Sequence, residues 1–119
     1  MREVAVSHRL SMLFGGALLL AATGVASAQT PAQVEAGQKV YVAQKCSVCH
    51  SVAGQGNKKG PLDGISAKLS ADEMRQWITN APEMAAKAKA DRKPVMKGFP
   101  NMPKDEVDSL VAYLQSLKK

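Results

Sequence analysis

A chain of 119 residues with 16 Lys+Arg against 10 Asp+Glu, a formal charge of +6, has room for one domain of ordinary size. Its 45% hydrophobic content lies above the range of disordered chains. Two Cys and two His exclude a four-ligand structural zinc site, a multi-disulfide scaffold and any site needing several histidines.

Residues 1–28 have the form of an export signal. Arg2 and Arg9 supply positive charge, an apolar stretch runs from Leu13 to Ala22, and Ala26-Ser27-Ala28 gives the small-x-small junction, placing the cut between Ala28 and Gln29. The strongly apolar part is ten residues long (13–22), against the roughly 20 that a bilayer span takes. Cleavage is therefore expected rather than a retained anchor, and the lack of a cysteine near the junction excludes lipid anchoring there. Removing 28 of 119 residues leaves a single domain of 91, residues 29–119. The leader takes Arg2, Glu3 and Arg9 with it, so the remainder carries +5 of the +6. It also takes His8, leaving His50 as the one histidine beside Met74, Met84, Met96 and Met102. Ninety-one residues with so few aromatics make a thin core, and domains of that size often rely on a disulfide, metal or cofactor.

Along the mature segment helical spacing recurs and no period-two run of β-branched residues occurs. Thr30-Pro31 predicts an N-cap with proline at the first helical position, opening a helix through about Cys46 with Val34, Gly37, Val40 and Tyr41 on one face. Gly54, Gly56, Gly60, Pro61 and Gly64 predict a long surface loop over 51–66. Ser70-Ala71-Asp72-Glu73 is a capping box for a short helix carrying Met74, Trp77 and Ile78, and Asn80-Ala81-Pro82 breaks it and starts another over Glu83–Asp91. A proline-rich loop over 92–103 leads to a last helix from Pro103 to the C-terminus, striped by Val107, Leu110, Val111, Leu114 and Leu117. The expected architecture is all-α with four to five helices and long loops.

Cys46-Ser47-Val48-Cys49-His50 is Cys-x-x-Cys-His, the attachment pattern of c-type haem. Two thiols three apart near a helix end can form thioethers to two neighbouring vinyl groups, and the next residue then places its imidazole under the iron. Export agrees with this, because such haems are attached outside the cytoplasmic membrane. Three duller readings compete. A thioredoxin-type redox pair needs a βαβ pattern that is not visible. Zinc would find only three strong ligands in Cys46, Cys49 and His50, and a disulfide between such near neighbours would constrain almost nothing.

With this motif the chain resembles the small single-haem class I c-type cytochromes over nearly all of its mature length. Gly37 and Tyr41 ahead of the motif, and 98-GFPNMPKDEVDSLVAYLQSLKK-119 with Tyr113-Leu114, carry the likeness. It implies that the first and last helices cross near the haem, with Gly37 and Tyr41 meeting Leu110 and Tyr113. It also implies that the carbonyl of Pro61 accepts the His50 Nδ1–H bond, although Gly60-Pro61-Leu62 is one residue shorter than the family's spacing before the leucine. Trp77 is a candidate to line the haem or touch a propionate, with plain packing as the alternative.

His50 fills one axial position, and the inventory leaves a methionine thioether for the other; His/Met ligation raises the reduction potential. Met74 reads as core and Met84 has polar neighbours. Met96-Lys97-Gly98-Phe99-Pro100 keeps the Met, Phe and second Pro of the family's Met-Pro-x-Phe-Pro stretch, with Lys97 in place of its first proline, and Met96 lies 17 residues before Tyr113. Met102, 11 before it, falls at a packing position. The site residues expected are therefore Cys46, Cys49, His50, Met96, Pro61 and Trp77, with one covalent haem c and with iron held by His50 and Met96.

A haem closed on both axial sides suits electron transfer rather than catalysis, so the expectation is a soluble, monomeric, periplasmic electron carrier and not an enzyme. The +5 charge, with Lys45, Lys58, Lys59, Lys93 and Lys97 near the motif or the methionine loop, implies acidic redox proteins as partners. No nucleic-acid recognition motif is present. The rival readings are a haem subunit of a larger dehydrogenase or oxidase, a weak peroxidase, and a gas sensor or scavenger with a displaceable sixth ligand.

Overall fold

The computed structural model describes residues 29–119; the expected export signal over 1–28 lies outside the described residues. Helix α1 (Pro31–Ala43) starts as its sequence dictates. The Thr30 hydroxyl accepts from the Gln33 N–H, the Gln33 side chain returns to the Thr30 N–H, and Pro31 needs no donor in the first turn. The helix stops at Ala43, three residues before the expected Cys46, because Lys45 turns left-handed (φ 55°, ψ 39°). The chain re-enters as a separate 3-10 turn over Cys46–Val48.

The expected open loop over 51–66 holds more order than its glycines imply. Strands β1 (Ser51–Val52) and β2 (Gln55–Gly56) pair antiparallel, with Ser51 opposite Gly56 and Val52 opposite Gln55. A further 3-10 turn covers Ile65–Ala67. Two-residue strands are too short to show an alternation, which is why the sequence pattern misses them.

Helix α2 (Ala71–Thr79) carries the expected Ser70–Glu73 capping box and buries Met74 and Ile78. Helix α3 spans Ala81–Lys87, four residues short of the expected Asp91. Lys89 adopts positive φ and the Ala90 N–H turns back to the Ala85 carbonyl, closing the helix. Helix α4 (Lys104–Ser116) begins after Pro103 with Asp105 and Glu106 in its first turn. It ends at Ser116 rather than at the C-terminus. Among the described residues no helix is long and apolar enough to cross a membrane.

The core sits where α1 crosses α4, with α2 packed alongside. Eight buried residues form it: Tyr41, Met74, Ile78, Val107, Leu110, Val111, Tyr113 and Leu114. The crossing is close because Gly37 has no side chain. A Cβ there would stand 1.9 Å from the Ser109 carbonyl oxygen and 2.6 Å from Tyr113 Cβ. The expected pairing of Tyr41 with Tyr113 is present, as tilted rings with centroids 5.5 Å apart. Gly37 itself meets Ser109 and Tyr113. Arg75 ties α2 to α4 by bonding Asp108 at 3.0 Å, but at this exposure such a pair contributes under about 1 kcal/mol, so packing decides the arrangement.

Replacing Gly37 with Ala puts a methyl into a backbone carbonyl that cannot yield. Urea denaturation of Gly37→Ala should show a loss of about 3 kcal/mol, the upper part of the overpacking range.

The Tyr41 hydroxyl is buried without a hydrogen-bond partner among the described residues. Burial first, then the neighbouring Cys46, Tyr113 and Asp63, push its pKa up to about 12. An unfolded tyrosine ionises near ~10, so the unfolded state loses its proton first. The stability Tyr41 contributes is full below that pH and falls as pH rises from there through the folded value. Tyr41→Phe should change stability little at pH 8, since no hydrogen bond to another described residue is removed. It should also flatten part of the alkaline decline in urea titrations, leaving the part due to Tyr113, whose pKa burial also raises.

Candidate functional site

The residues of the Cys-x-x-Cys-His motif sit on one short turn held by backbone hydrogen bonds. The N–H groups of Cys49 and His50 both donate to the Cys46 carbonyl, at 3.1 and 2.9 Å. Asn57 fastens the turn from outside: its N–H reaches the carbonyls of Ser47 and His50, and its Nδ2 donates to the Val48 carbonyl at 3.1 Å. Ser47 and Val48 are exposed, while Cys46 packs partly against the core and Cys49 is half-buried.

His50 Nδ1 lies 3.0 Å from the carbonyl oxygen of Gly60. A carbonyl only accepts, so Nδ1 carries the proton and Nε2 keeps the lone pair that can bind a metal. This corrects the expectation for Pro61. The Ser51 N–H donates to Gly60 and the Leu62 N–H donates to Ser51, at 3.1 and 2.9 Å, which fixes the register of the segment. With the spacing to Leu62 one residue short, the carbonyl that meets the ring is that of Gly60, and Pro61 is exposed, bridging to Ser51.

The electrostatics fit a ligand set rather than a nucleophile. Burial holds the His50 pKa below its ordinary value; the Gly60 bond opposes this and the Arg92 charge adds to it. The ring therefore stays neutral and available near pH 7. Burial raises the Cys46 thiol, opposite to the lowered pKa of an activated redox cysteine. Among the described residues no three His, Cys, Asp or Glu side chains converge as a metal cluster, which weighs against zinc. Two free thiols and one oriented imidazole on a single turn are the donor set that covalent haem uses.

The two candidate methionines separate. Met102 packs against the core cluster, whereas Met96 is half-buried and lies outside it. The loop that carries Met96 is fastened to the end of α2: the Phe99 N–H donates to the Ile78 carbonyl at 2.7 Å, and Gly98 lies against the backbone of Thr79 and Ala81. Trp77 is half-buried on α2 between the buried Met74 and Ile78. Lys45, Lys58, Lys59, Lys93 and Lys97 are all exposed.

Three residues at the site escaped the sequence reading: Gly60, Asn57 and Arg92. The short Gly60-Pro61-Leu62 spacing was the available signal for Gly60. The other two act through backbone carbonyls and leave no motif.

A model of the cytochrome c family matches residues 34–118. Among curated proteins, the chain is 29% identical over 91 residues to cytochrome c oxidase subunit 2 of Alkalihalophilus pseudofirmus, covering 69% of this chain and 25% of that protein. The chain thus spans about a quarter of the length of that relative. No solved structure matches. The family match covers more than half of the chain and includes the Cys46–His50 turn, all of α4 and all but the first three residues of α1, so the chain belongs to the cytochrome c family of haem electron-transfer proteins, with Cys46 and Cys49 at the spacing that covalent haem c requires.

Proposed function

We propose that this is an exported, single-haem electron carrier with His50 and Met96 as axial ligands. The observation that carries the reading is the His50 ring fixed by the Gly60 carbonyl, with Nε2 left to bind iron, one residue after a pair of free thiols on the same turn. Haem c supplies reversible one-electron chemistry when bound. Cys46 and Cys49 would hold it by thioethers, and His50 and the half-buried Met96 would ligate its iron. Two protein ligands leave no place for a substrate, which argues for a carrier and against an enzyme. The exposed lysines around the motif and the Met96 loop favour acidic redox proteins as partners. The expected leader, cleaved before Gln29, would deliver residues 29–119 to the periplasm as a monomer. A second reading is favoured by the similarity to an oxidase subunit: the domain could serve as the haem module of such a complex, and co-purification of a larger enzyme would support it.

Two variant pairs test the ligand assignments. Met96→Ala should abolish the weak near-infrared ferric band of Met–iron ligation and lower the potential, while Met102→Leu should keep the band and change stability by less than about 1.5 kcal/mol. The reverse pattern would transfer the ligand to Met102. On the His50 side, the Nδ1–H resonance of the reduced protein should persist in Pro61→Ala. It should shift or broaden in Gly60→Ala, whose Cβ would stand 2.4 Å from the Cys49 carbonyl oxygen and force the loop off the ring.

A further inference from the structure

We propose that Arg92 is a positioning residue that braces the methionine loop onto the His50 side of the site and raises the reduction potential by its charge. The inference rests on the haem reading above, with His50 as ligand.

Arg92 is far in sequence from the attachment motif, yet its Nη2 donates to the Cys49 carbonyl, the peptide group that joins Cys49 to His50. The same guanidinium lies on the bare face of Gly60. A Cβ at Gly60 would stand 2.1 Å from Arg92 Nη1 and 2.9 Å from its Cζ. Gly60 in turn supplies the carbonyl that orients the His50 ring. One planar group therefore touches both backbone supports of the imidazole. A planar fork can lie flat on a glycine while donating sideways, which an ammonium cannot do.

Arg92 also stands four residues before Met96. The other end of that loop is fastened by the Phe99 N–H to Ile78. Met96 is thus suspended between an anchor on α2 and an anchor on the His50 loop. Both sides of the site are tied together by a side chain that belongs to neither ligand set.

The electrostatic consequence has a definite sign. Oxidation adds one positive charge at the iron, and a cation held beside the ligand's backbone disfavours that state. Arg92 therefore favours the reduced form. Its side chain is exposed, so solvent and salt weaken the effect without reversing it.

The experiment compares wild-type holoprotein with Arg92→Gln and Arg92→Lys. The alkaline pyridine spectrum of denatured wild type is read first; failure to show covalent haem c would overturn the proposed function itself. With that signal present, spectroelectrochemistry is done at low salt, poised at the wild-type midpoint. The ferrous-to-ferric ratio should fall about threefold in Arg92→Gln and by less than half as much in Arg92→Lys, and the difference should shrink in high salt. Amide exchange at Ser51, which donates to Gly60, should speed up in both variants as the brace is lost. An unchanged ratio in a folded, haem-loaded Arg92→Gln would overturn the inference. An equal fall in both variants, insensitive to salt, would overturn the charge effect.

Discussion

Everything in this molecule hangs on how closely α1 approaches α4. The contact is set by Gly37 lying directly against the backbone of Ser109. That approach brings Tyr41 onto Tyr113 and lets the α4 stripe close over a core of only eight buried residues. At roughly 1.5–3 kcal/mol for each large apolar side chain buried, so small a core has little to spare against the entropy of ordering the chain. The crossing also has a positional role. The end of α1 delivers the chain into the left-handed Lys45 and then the Cys46 turn, so any shift of α1 moves both cysteines.

Beyond the crossing, the site is made of peptide groups more than of side chains. The Cys46, Ser47, Val48, Cys49, His50 and Gly60 carbonyls all accept hydrogen bonds, from the turn itself, from Asn57, from Arg92 and from the His50 ring. A backbone network of this kind has few rotamers to redistribute. That suits a centre whose task is to change charge by one unit while its surroundings stay put.

The parts legible in sequence were those with a local cause. Thr30 with Gln33, and Ser70 with Glu73, announce helix starts because a cap needs specific atoms at a fixed offset. The apolar spacing of α4 announces its buried face, and five residues from Cys46 to His50 announce the chemistry. Helix ends were less legible. Nothing in the Ala43-Gln44-Lys45 composition marks the reversal at Lys45. The carbonyl that meets His50 lies one residue before the Pro61 that the resemblance implies, because a register shift changes which peptide faces the ring without changing any side chain. Arg92 was invisible for the same reason: its partners are a carbonyl and the absence of a Cβ, and neither has a residue-type signature.

The meeting of Gln29 with Gln115 has an architectural consequence. Gln29 Nε2 donates to Gln115 Oε1, so the entry to α1 and the last turn of α4 share one patch of surface. A unit whose entry and exit lie together can be spliced into a longer polypeptide or hung from one, much as a plug-in cassette, without its fold being pulled open. The same helices that close the core thus bring the start of α1 and the end of α4 together.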